Sequence, residues 1–227
     1  MRYSEELGGH KLDIFVDSNV VIGYYFDYID HWGPDAIKVF NSNKQIHSGK
    51  TVQAECFGLD GHTGRCNTIK NEILRNFSDA IRILIKTKST DELVCTAFDE
   101  KWKTKEIIED IYLLCKQDLK QFIEEIRNIR RKFETDCNRK CEKLLDGNTI
   151  IFHNRSEAYA HLYSLLMTEI GDVDDIEVIL DAHHVVSMGT KILFISGDYK
   201  DIVPNIPFIT HITAIEQIMP LGSFSDN

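Results

Sequence analysis

Apolar and polar positions along this chain follow two different periods, and each change of period marks an element. Continuous apolar runs, of the kind found in strands buried on both faces, occur at LDIFV (12–16) and KILFIS (191–196). KQIHSG (44–49), NTIIFH (148–153) and PFITHI (207–212) predict three further strands. Helical patterns lie between them. One runs from Ser18 through Tyr25 and Phe26, and a second covers Pro34–Phe40 with the proline in its first turn. A third opens at TVQAECFG (51–58). From Asn67 to Lys86 the residues Ile69, Ile73, Leu74, Phe77, Ile81 and Leu84 fall three and four apart. Residues 156–171 predict a helix capped by Ser156, and 172–189 a helix that opens on acids and stops at Gly189. A short helix at TAIEQIM (213–219) closes the pattern. Alternating strands and helices of this kind predict an α/β fold, a parallel sheet flanked by helices.

One stretch departs from that alternation. Ile108, Ile111, Cys115, Leu119, Phe122, Ile126, Ile129, Phe133, Cys137, Cys141 and Leu144 recur every three or four residues, with charges on the other faces. The spacing predicts one long amphipathic helix over 100–145, about 60 Å if unbroken. Its apolar stripe needs a partner, either the preceding helix in an αα-hairpin or a second copy of the chain. The expected organisation is one domain over 1–227 with residues 66–146 as a helical insertion.

The 227 residues are 43% hydrophobic, enough to bury a substantial core. No run of about 18 apolar residues is present, so no membrane-spanning helix is expected. The opening MRYSEELGGHKLD has no apolar signal core. Cys56, Cys66, Cys95, Cys115, Cys137 and Cys141 form no C-x-x-C pair and read as reduced thiols of a cytoplasmic protein. The formal net charge of −10 argues against a broadly basic nucleic-acid surface. It leaves room for metal ions held by carboxylates.

Candidate chemistry begins where DIFVDSNVVIG (13–23) breaks its apolar run at Asp17-Ser18-Asn19. Two readings compete: a strand-to-helix turn with Ser18 or Asn19 as cap, or a functional carboxylate at the carboxyl end of a parallel strand. KILFISGD ends in the same way at Asp198. Glu55 lies in the first turns of one helix, and Asp175 opens the helix that feeds the Asp198 strand. Helix N-termini and strand carboxyl ends share one rim of such a sheet, so Asp17, Glu55, Asp175 and Asp198 can converge. Like charges that close raise one another's pKa unless a cation is present. Hard oxygen donors of this kind suit Mg²⁺ or Mn²⁺ and point to phosphodiester hydrolysis.

The ordered set D-S-N at 17–19, T-x-x-x-E at 51–55, D-x-x-V-x-x-D-A-H at 175–183 and I-S-G-D-Y-K-D-I at 195–202 resembles the PIN-domain nucleases. The likeness covers roughly 10–56 and 148–215. It implies a Rossmann-like parallel sheet whose acids bind one or two divalent metals. It further implies an endoribonuclease with RNA as substrate, and a homodimer. Position by position, the resemblance implies Asp17 as the central metal ligand, with Ser18 or Asn19 orienting it or the attacking water. Glu55, Asp175 and Asp198 match the remaining acids, and Asp201 is an auxiliary one. Glu72 is an alternative to Glu55, and Asp174 to Asp175. Asp181 lies six residues beyond Asp175, a net rotation of about 240° that turns it away.

Other features have plainer readings. His183 and His184 point about 100° apart on a helix and read as structural. Arg127, Arg130, Arg131 and Lys132 form a basic patch. They either pair with Glu124, Glu125 and Glu134 or contact nucleic-acid phosphates. Two other functions compete with the nuclease. A HAD-type phosphohydrolase would use the strand-one aspartate as nucleophile, but it wants a second aspartate at position 19, which is Asn. An inert scaffold would bind a protein partner through the 100–145 helix.

Overall fold

The computed structural model describes residues 12–27, 29–61, 63–89, 104–115 and 118–225. The expectations for the first eleven residues, for 100–103 and for Cys95 lie outside the described residues. Two compact units divide the chain: one formed by Met1–Glu55 with Leu144–Asn227, the other by Cys56–Lys143. The sequence pattern had suggested a single domain with an insertion at 66–146. Among the described residues no helix is long and apolar enough to cross a membrane.

The first unit is an α/β fold around five parallel strands: β1 (Asp13–Val16), β2 (Ile46–Gly49), β3 (Ile151–His153), β4 (Ile192–Ser196) and β5 (Ile218–Pro220). Their order across the sheet is β3-β2-β1-β4-β5. Val16 pairs with Ile195 and Phe15 with Phe194, and β4 continues to β5 through Phe194 and Ile218. Helices α1 (Ser18–Tyr25), α2 (Gly33–Phe40) and α3 (Lys50–Phe57) follow the early strands. Ile14, Phe15, Val16, Phe194 and Ile195 are completely buried, which explains why β1 and β4 read as continuous apolar runs. Each such side chain contributes about 1.5–3 kcal/mol by leaving water.

The chain lays down β1, β2 and β3 in one direction, then returns to the other side of β1 with β4 and β5. The strand order therefore reverses between β1 and β4. Open α/β sheets keep a crevice at that point, outside the carboxyl ends of the strands.

The second unit contains α4 (Arg65–Thr87), α5 (Lys105–Cys115) and α6 (Leu119–Leu145). The long helix expected over 100–145 is thus divided. Asp118 accepts hydrogen bonds from the amides of Lys120 (2.9 Å) and Gln121 (3.0 Å) and starts a new helix there. A side-chain cap of this kind satisfies backbone donors that a helix N-terminus leaves open. The 27 residues of α6 span about 40 Å. Its buried stripe includes Phe122, Ile126, Phe133, Cys137 and Leu144, and the five described cysteines are free thiols.

Back in the first unit, α7 (Ala160–Leu166) is shorter than the predicted 156–171 helix. Tyr159 precedes it with φ +46°, a left-handed backbone from which a right-handed helix cannot continue upstream. Ser156 therefore does not cap it. The next helix is α8 (Val173–Ser187), where the Asp172 side chain accepts from the amide of Asp174. At the chain's end the two expected elements change places. PFITHI forms most of α9 (Ile206–Ile212), with Pro207 in its first turn where a missing N–H costs nothing. TAIEQIM contributes its last residues to β5 rather than forming a helix. The open edge of β4 selects the strand, and local propensity yields to that pairing.

Candidate functional site

Asp17 follows β1 directly and is only 3% exposed. It is a helix cap placed at the carboxyl end of a strand. Its Oδ1 accepts from the Val20 amide at 2.9 Å, which makes Asp17, rather than Ser18 or Asn19, the cap of α1. Its Oδ2 accepts from the Ser196 hydroxyl at 2.6 Å and from the Gly197 amide at 3.0 Å. One carboxylate thereby ties the ends of β1 and β4 to the start of α1. Gly197 is required by this closeness, since a Cβ there would lie 2.9 Å from the Asn19 Cβ. Burial pushes the Asp17 carboxyl up to about 6 against the pull of those three hydrogen bonds, and Asp198 adds to the rise.

Beyond Gly197, the Asp198 amide donates to the Ser196 hydroxyl, and Asp198 Oδ1 accepts from the amides of Lys200, Asp201 and Ile202. The GDYKDI turn is wound around that one oxygen, which leaves Oδ2 outside these bonds. Asp201 is buried, accepts from the Gly171 amide at 3.2 Å, and meets the exposed Lys200 ammonium at 3.1 Å.

Asp175, in the first turn of α8, completes the group. Ligand oxygens of Asp175, Asp198 and Asp201 lie within 4.8 Å of one another, and the three carboxylates can hold a metal ion. Among the described residues they are the one such set of three or more acids, histidines or cysteines. Asp175 is half-buried and has no hydrogen-bond donor or ion-pair partner among the described residues. Burial, then Asp198, Asp172, Asp201 and Asp17 in that order, push its carboxyl up to about 7. Three carboxylates, one of them without a partner among the described residues, fit a metal ion.

The structure divides the expected acids. Asp175, Asp198 and Asp201 come together, and Asp175 rather than the exposed Asp174 is the member from α8. Asp17 stands outside the trio and reaches it through Ser196, Gly197 and the field it shares with Asp198 and Asp175. The hydrogen bonds that reach the Asp17 carboxylate come from Val20, Ser196 and Gly197. Ser18 instead donates to Glu55, which joins α1 to α3 and is not among the three. From sequence, Ser196 reads as the end of a strand, and no pattern gives it or Gly197 a role at Asp17.

A second charged group lies farther along α8. Asp181, 4% exposed, accepts from the Thr51 amide at 3.3 Å and pairs with the Arg155 guanidinium at 3.4 Å. Arg155 also pairs with Glu177 and donates to its carbonyl. Burial raises the Asp181 carboxyl, and Thr51 and Arg155 pull it partly back. No sequence pattern singled out Arg155. The neighbouring histidines are engaged elsewhere: His183 Nδ1 accepts from the Ala214 amide, and His184 Nδ1 meets the Tyr159 hydroxyl, each at 2.9 Å. In the helical unit, Arg127 and Arg131 each pair with Glu124 at 3.5 Å, while Lys132 is exposed.

No family model, curated protein or solved structure matches this chain.

Proposed function

We propose that this protein is a divalent-metal-dependent nuclease that hydrolyses phosphodiester bonds, with RNA as its substrate. The observation that carries the reading is Asp175. It is a half-buried carboxylate with no donor or cation of its own among the described residues, and its oxygen lies within 4.8 Å of those of two further acids. Such a group is costly to ionise, and a bound dication removes that cost. Asp175, Asp198 and Asp201 would hold the ion, and all-carboxylate oxygen ligation suits Mg²⁺ or Mn²⁺. Bound there, the ion supplies activation of water and stabilisation of charge on a phosphoryl group.

The chain's own residues prepare that site. Asp17 fixes the ends of β1 and β4, which sets the height of the GDYKDI turn above the sheet. Three backbone amides hold Asp198 through Oδ1 and so aim its other oxygen. Gly171 anchors Asp201, and Lys200 covers part of its charge from the solvent side. A nucleophilic role for Asp17, as in a HAD-type phosphohydrolase, is disfavoured: both its oxygens accept hydrogen bonds and the side chain is buried.

The test is Mn²⁺ binding by calorimetry together with cleavage of an end-labelled single-stranded RNA, using a small phosphomonoester as control substrate. Wild type is expected to bind Mn²⁺ and cut the RNA, leave the monoester intact, and lose activity with chelator. Absence of Mn²⁺ binding at millimolar concentration by folded wild type sinks the proposal. Turnover of the monoester alone would favour the phosphohydrolase.

A further inference from the structure

Tyr199 lies between Asp198 and Lys200 in the turn wound on Asp198, next in sequence to one of the three clustered carboxylates. Its ring lies parallel to that of Trp32, with centroids 5.2 Å apart and planes within 1°. That is an offset stack of the kind aromatic pairs prefer. Trp32 is half-buried at the start of α2 and packs against the His31 ring on its own chain, at 4.6 Å between centroids. The Gly222 backbone backs both rings: a Cβ there would stand 3.4 Å from Trp32 Cζ3 and 3.4 Å from the Tyr199 hydroxyl. Trp32 covers one face of Tyr199, yet the residue is still 47% exposed, so much of its remaining surface is open to solvent.

We infer that Tyr199, held flat by Trp32, is a stacking platform for an unpaired base of a single-stranded RNA whose scissile phosphate lies at Asp175, Asp198 and Asp201. The inference rests on the nuclease reading above and names what that site would recognise. Two observations favour this occupant. Tyr199 follows Asp198 directly in the chain, with Cα atoms about 3.8 Å apart, so its backbone belongs to the same turn as two of the three acids. The chain also carries a net charge of −10, which argues against a broadly basic surface as the source of affinity. Base stacking works on any sequence and needs no positive surface. A base inside a duplex has both faces covered and is excluded, which makes the site selective for unpaired strands.

The experiment uses the full chain with Ca²⁺ present and follows fluorescence anisotropy of a labelled single-stranded RNA decamer. Parallel arms use the same decamer as a duplex and with an abasic position. Mn²⁺ calorimetry is run on every variant. Tyr199→Ala and Tyr199→Leu are each expected to weaken single-strand binding roughly 10-fold, while Tyr199→Phe keeps it within about twofold. Both weakening variants should bind Mn²⁺ as wild type does, which shows that the fold and the carboxylates are intact. The duplex should bind worse than the single strand to wild type, and no worse to Tyr199→Ala. Single-strand affinity unchanged in Tyr199→Ala with normal Mn²⁺ binding overturns the platform and leaves the metal site standing. Affinity retained by Tyr199→Leu also overturns it, because bulk rather than a π face would then be at work. Loss of Mn²⁺ binding in wild type is the separate failure of the nuclease reading.

Discussion

Asp175 and Asp181 lie six residues apart on the same helix, carry the same carboxylate, and are both lifted by burial above the ordinary range. Their surroundings differ. Asp181 finds its compensation inside the fold: the Thr51 amide, Arg155, and an ion pair that Arg155 shares with Glu177. Asp175 faces only other acids, and its carboxyl is pushed up to about 7. A net turn of about 240° along the helix separates the two environments. Asp181 is therefore compensated within the fold, whereas Asp175 takes up either a proton or, as proposed above, a cation from solution. That asymmetry distinguishes the two carboxylates more clearly than residue type or burial can.

Replacing each side in turn should break the asymmetry in opposite ways. The largest effect is expected from Asp175→Asn. Mn²⁺ affinity measured by calorimetry should fall by more than the roughly 100-fold typical of residues that only orient ligands, and RNA cleavage should fall with it. The same variant in chelator should melt no lower than wild type, because it removes an uncompensated charge. Arg155→Ala should do the reverse. It strands Asp181 and Glu177 without their cation and should cost about 3–5 kcal/mol in denaturant unfolding. Mn²⁺ affinity of the folded variant should be unchanged. A loss of metal binding in Arg155→Ala without unfolding would show that the two groups are coupled.

A pH series sharpens the same contrast. In chelator, Asp175 and Asp17 titrate in the folded protein near about 7 and about 6, against an ordinary value of 3.8. Between those limits the folded state binds more protons than the unfolded one. Their contribution to stability is therefore fully present below 3.8 and is lost as pH rises through 6 and 7. Melting temperature in chelator should rise when pH is lowered from 8 to 5, less steeply in Asp175→Asn. Saturating Mn²⁺ should flatten the profile, since metal binding requires the deprotonated form. A steeper profile with Mn²⁺ than without would contradict carboxylate ligation. The smallest effect is expected from Glu177→Gln, which leaves the Asp181–Arg155 pair in place. It should cost about 1 kcal/mol or less, with cleavage and metal binding untouched.

Much of the site was readable before any coordinates because parallel strands announce themselves. DIFVD and KILFISGD are apolar runs buried on both faces, and each stops at a polar residue where the strand leaves the sheet. Asp198 and Asp175 follow from that logic together with the position of a helix start, whereas Asp201 comes only with the resemblance. What the run could not reveal is which carboxylate already has partners. Asp17 and Asp198 look alike in sequence, yet Asp17 spends both oxygens on Val20, Ser196 and Gly197, and Glu55 is drawn to Ser18. Those bonds join residues up to 180 positions apart, and no local pattern encodes them.

The same limit applied at the chain's end, where IPFITHI became a helix and Ile218–Pro220 a strand. β-Branched residues favour a strand only where a partner edge is free, and the edge of β4 is reached by one of these segments and not the other. The division between α5 and α6 was legible in principle, because Asp118 is a capping residue, but the unbroken apolar stripe masked it. The sequence by itself determined the α/β class, the buried strands and the rim on which the acids stand, because these depend on periodicity and on the chemistry of single residues. Only the tertiary structure decided which acids remain without a partner, because compensation of charge is a property of neighbours in space.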